Sequence, residues 1–134
     1  MRSGEGEVVA VMVVSLHPRP LTTEERSVVD RILRVGFPGA EQLRRQLGRI
    51  LVVASWGPGS VSVDLRFTGG VPRSRVADGV VPVTCAVLDD DGGLHGEILL
   101  WAEAGGLSAL EYAWYGDEPP RALPNADRMV TSRR

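Results

Sequence analysis

Residues 96–115, GEILLWAEA-GG-LSALEYAWY, constrain the fold more than any other stretch of the chain. Two apolar and aromatic runs flank a diglycine, and no proline interrupts either run. Such residues favour extended backbone, and a glycine pair readily supplies the positive φ of a tight hairpin turn. The stretch therefore predicts an antiparallel hairpin with Gly105 and Gly106 in the turn. An isolated hairpin is marginal in water, so the chain must add strands and a covering layer.

With the turn there, Ala104 pairs with Leu107, and alternation assigns every side chain beyond. Trp101 faces Leu110, Leu99 faces Tyr112, and Glu97 faces Trp114. One face carries Leu99, Trp101, Leu110, Tyr112 and Trp114, and it is predicted to meet helices in the core. The other carries Ile98, Leu100, Ala102, Ala109, Glu111, Ala113 and Tyr115. It is too apolar for a wet sheet surface, so the N-terminal strand, the tail or a second copy of the chain is expected to cover it; a homodimer is favoured, and a protein partner is a separate expectation. Aromatic residues are scarce, at three Trp, two Tyr and two Phe. The hairpin is therefore also the best candidate ligand site. Trp101, Tyr112 and Trp114 would form its walls, with Glu97 or Glu103 at the rim.

The remainder supplies the other layer. The Val-rich run 7–16 predicts a central strand, which HPRP (17–20) stops. In LTTEERSVVDRILRVG, Thr22 and Glu25 have the spacing of a capping box. Val28, Val29, Ile32 and Leu33 share one helical face, and Gly36 ends the helix. A short second helix carries Leu43 and Leu47. From residue 49 the pattern alternates instead. Strands are expected at 49–56, 61–67 and 80–88, with turns at GPGS and DDDGG. The segment 68–79 lacks core residues and is expected to be a flexible loop. Residues 117–134 are polar and proline-rich, and are expected to form a loosely ordered tail. The expectation is one α+β domain over 1–134: an antiparallel sheet of about five to six strands with two helices on one face.

Composition removes several function classes. The formal net charge is −2, and all fifteen basic residues are Arg without a dense cluster, so nucleic acid is a poor partner. The run 8–16 is too short to span a bilayer, and Glu5 and Glu7 stand where a signal peptide carries basic residues. A cytoplasmic protein without membrane association is expected. The single cysteine, Cys85, lies in an apolar run and is expected to be buried and inert. No metal-ligand spacing, phosphate loop or nucleophile elbow occurs, so no metal and no cofactor are expected. His17 and His95 lie in turns without Ser or Cys partners.

FPGAEQLRRQL, SVDLRF and GGLSALEYAWYGDEPPRALP together resemble a group of small single-domain proteins common in actinobacteria. The resemblance runs from about Leu21 to Pro124. It implies an intracellular protein of a GC-rich bacterium, and the group carries no known activity to transfer. The expected function is a non-catalytic binding or interaction module. The alternative is a small enzyme or ligand carrier with an aromatic-lined pocket in the sheet.

Overall fold

The structure is a computed structural model that describes residues 13–134. In chain order the elements are β1 (Val14–Pro20), α1 (Thr23–Leu33), α2 (Ala40–Arg45), β2 (Ile50–Ser55), β3 (Val63–Phe67), β4 (Gly79–Val80), β5 (Val83–Leu88), β6 (Leu94–Glu103), β7 (Gly106–Trp114) and β8 (Met129–Arg133). Short 3-10 turns precede β2 and β8. The architecture is α+β with an antiparallel sheet, as expected. Among the described residues the sheet has eight strands rather than five to six, in the order β1-β2-β3-β7-β6-β5-β8, with β4 paired to β6. No helix among the described residues is long and apolar enough to cross a membrane.

Both helices lie on one core. Thr22 Oγ1 accepts from the Glu25 backbone N–H at 3.0 Å, and the Thr22 N–H donates to the Glu25 carboxylate at 2.8 Å, closing the capping box. Arg19 grips the same carboxylate with both terminal nitrogens, at 2.8 and 3.0 Å. Val28, Ile32, Leu43 and Leu47 are buried against Ile50, Leu65, Leu100 and Leu110 of the sheet.

The described residues bear on four expectations. Residues 7–12 of the expected first strand lie outside the described residues. The described part does not stop at HPRP. It continues to Pro20, with a register shift between Ser15 and Arg19, and among the described residues it is the terminal strand of the sheet. An edge tolerates prolines, whose missing N–H would break a ladder inside the sheet.

Second, the tail is not loose throughout. Residues 129–133 pair with β5 from Val83↔Arg133 to Val87↔Met129, and Met129 is buried. Arg31 of α1 donates to the carbonyls of Ala126 and Met129.

Third, the segment 68–79, expected to be a flexible loop, touches the core. Val76 packs on the apolar cluster, and the Ser74 hydroxyl donates to the Gly39 carbonyl at 2.8 Å. The Ser74 N–H donates to the Gly105 carbonyl at 2.9 Å. Gln46 is fully buried, at 0% exposure, and its amide donates to the carbonyls of Gly105 (2.8 Å) and Pro72 (3.3 Å).

Fourth, the hairpin is built differently. The turn residues are Ala104 (φ 51°) and Gly105 (φ 77°), both left-handed, while Gly106 opens β7 opposite Glu103. Tertiary contacts select this turn. A Cβ at Gly106 would lie 2.8 Å from Phe67 Cβ, so that glycine is required inside the sheet. The Ala104 N–H donates to Asp78, and its carbonyl accepts from Arg73. A bulge then follows: Ala102 pairs with Leu107 but Trp101 pairs with Ala109, which leaves Ser108 as the extra residue. Leu107 and Leu110 thereby both reach the core, three positions apart. On β7 the expected core face holds for Leu110 and Tyr112 but not for Trp114, which stands 40% exposed. On β6 it inverts. Ile98, Leu100 and Ala102 are buried, and Leu99 and Trp101 face outward. Much of the apolar face from which a dimer was expected therefore lies inside the domain.

Candidate functional site

The distal end of the β3–β7 pair carries the most distinctive surface. β3 pairs with β7 only at Val63↔Leu110 and Asp64↔Ala109, while β7 runs on to Trp114. Beyond Leu110 the chain of residues 56–62 swings away from β7. The turn GPGS makes this detour, with Ser60 N–H donating to the Gly57 carbonyl at 3.0 Å. Trp56 N–H donates to the Ser62 carbonyl at 3.0 Å and closes the loop. The missing ladder bond is replaced by a side chain: the Tyr112 N–H donates to buried Ser62 Oγ at 2.9 Å.

The result is a notch of about 250 Å³. Trp56, Val61, Tyr112, Trp114, Pro119 and Pro120 supply its apolar lining. Tyr112 and Trp114 are two residues apart on one strand and so point to the same side. Tyr112 is buried at 3% exposure, whereas Trp114 keeps 40% of its surface in solvent. Trp56 is fixed: its indole N–H donates to Asp64 Oδ1 at 2.9 Å. Glu111 adjoins the notch beside Ser60 and Ser62. Burial pushes the Tyr112 phenol above its ordinary value, so the hydroxyl stays protonated.

The expected site is divided. Tyr112 and Trp114 do meet at the notch. Trp101 and Glu103 do not; they border an open hollow on the outward sheet face with Asp64, Arg66 and Ser108. The Trp101 indole donates to Glu111 Oε1 at 3.0 Å. Trp56 and the two prolines were not expected at the site. Trp56 beside GPGS was visible as an aromatic at a turn. Its meeting with Trp114 depends on the long-range pairing of β3 with β7, which no local pattern reveals.

No family model, curated protein or solved structure matches the chain. The chemistry of the notch is therefore read from its own groups.

Those groups suit binding better than bond-making. Ser62 Oγ is engaged by Tyr112, and Ser60 Oγ accepts from the Ser62 N–H at 3.1 Å. His95 stands edge-on to Tyr112, with ring centroids 6.1 Å apart and planes at 73°, and it borders a different hollow. Nearby carboxylates have structural tasks: Asp89 accepts from the Asp91 and Gly93 N–H groups, and Asp90 pairs with Arg128. Cys85 is buried in the core, and burial pushes its thiol up to about 11. Among the described residues no three of His, Cys, Asp and Glu gather as a metal site.

Proposed function

We propose that the protein is a non-catalytic binding module and that the notch between Trp56 and Trp114 is its recognition site. Trp114 carries this reading. Burying a large apolar side chain contributes about 1.5–3 kcal/mol, yet this ring stands 40% exposed over an apolar recess. Aromatic anchors that are partly exposed at a recess are what binding sites use. Membership in the actinobacterial group, with its intracellular setting, belongs to the same proposal.

The test is the Trp114→Ala variant, with unfolding followed by circular dichroism and ligand screening followed by the indole NMR signals of Trp56 and Trp114. A stability change below ~1.5 kcal/mol is expected from removing a half-exposed ring. Fragments that shift both indole signals in the wild type should lose affinity in the variant. The reading fails if no fragment class moves either signal, or if Trp114→Ala unfolds the domain.

A homodimer is the second reading, through a different face from the one expected. Leu51, Val53, Leu99 and Trp101 are only partly covered on the outward side of the sheet. Light scattering at micromolar concentration should then give the mass of two chains, and Trp101→Glu should halve it. A single-chain mass for the wild type rejects the dimer.

A further inference from the structure

We infer that the notch receives an alkylated ammonium group, the trimethylammonium head of a small metabolite or of a methylated lysine side chain. The inference rests on the binding reading above and adds the chemical class of the ligand.

Three observations favour this class. The first is the wall material. Two indoles and a phenol bound one recess, and indole is the aromatic face that attracts cations most strongly. The Trp56 N–H points at the Asp64 carboxylate. That bond fixes the ring and, by polarisation, makes its π face more electron-rich.

The second is charge. Among the described residues Glu111 is the charged side chain that adjoins the notch, and no arginine lines it. Asp117 and Glu118 directly precede the prolines at its border. An anion would find no cation among the described residues there.

The third is the balance of apolar and hydrogen-bonding groups together with size. A primary ammonium or a guanidinium must satisfy several N–H donors, and each of the two serine oxygens here already accepts one backbone bond and keeps a single lone pair. A fully alkylated ammonium has no N–H to satisfy, so apolar walls with one neighbouring carboxylate suffice. At about 250 Å³ the recess is smaller than most drug-sized sites and suits a head group.

The experiment titrates the full chain with choline, with its neutral carbon isostere 3,3-dimethylbutan-1-ol, and with a short peptide bearing trimethyllysine or unmodified lysine. Binding is read from the Trp56 and Trp114 indole signals. Choline or the methylated peptide is expected to bind roughly 3- to 30-fold more tightly than the neutral isostere or the unmodified peptide. The tighter of the two identifies the source of the head group. Glu111→Gln keeps the acceptor for Trp101 but removes the charge. It should weaken the cation several-fold while leaving the isostere unaffected, and circular dichroism checks that the fold is intact. If the isostere binds as tightly as choline, or neutral fragments move the indole signals and cations do not, the cation assignment falls while the notch remains a binding site. If nothing moves them, both fall.

Discussion

Gln46 offers a sharp test of how the fold is locked. Its side chain is wholly inside the protein, its amide nitrogen bonds the Gly105 and Pro72 carbonyls, and its Oε1 has no partner among the described residues. The side chain therefore acts as a donor only, joining the turn after α2 to segment 68–79 and to the β6–β7 turn. Gln46→Ala removes two hydrogen bonds of ~0.5–1.5 kcal/mol each and leaves a small void, so a loss of ~2–4 kcal/mol is expected. Gln46→Glu is more informative. An ionised carboxylate there would face two carbonyl oxygens out of water, whereas the protonated acid can donate to one of them. Both effects raise the carboxyl's folded pKa above its unfolded value of ~4.3. The variant should then be closest to wild type below pH ~4 and lose stability as pH rises through the folded pKa, with a deficit of ~3–5 kcal/mol at neutrality. Urea unfolding of both proteins at pH 4 and pH 7, followed by tryptophan fluorescence, gives the difference directly. A Gln46→Glu deficit that is the same at both values would refute the donor-only role.

Two further outcomes follow from the geometry. Burial raises the Glu25 carboxyl, but hydrogen bonds from Arg19 and Thr22 lower it further, so its net pKa lies below the ordinary carboxylate value. Glu25→Gln should cost ~1–2 kcal/mol at neutral pH, and the gap to wild type should close as pH falls below ~4 through the folded pKa. Cys85 should not react with a disulfide reagent at pH 8 in the native protein and should react fully in urea, because burial holds the thiol at about 11; fast native labelling would show an accessible thiol.

Local chemistry alone determined a good deal. The capping box at Thr22 and Glu25, the apolar stripe Val28–Ile32 and the switch to alternation after residue 49 are short-range signals, and each element appears where they point. Leu110 and Tyr112 face the core because alternation along a single strand is itself local. Only tertiary structure decided what lies opposite them. Which residues form a two-residue turn depends on what touches it, here Phe67 against Gly106 and Ser74 against Gly105. The bulge at Ser108 then inverted β6 and sent Trp101 away from Tyr112, since a single extra residue exchanges the faces of a strand. The spacing of Leu107 and Leu110 was the one trace of that bulge in the sequence. The notch is legible least of all. Trp56 and Trp114 are brought together by the β3–β7 pairing, and nothing local to either tryptophan encodes a contact made by strands so far apart in the chain.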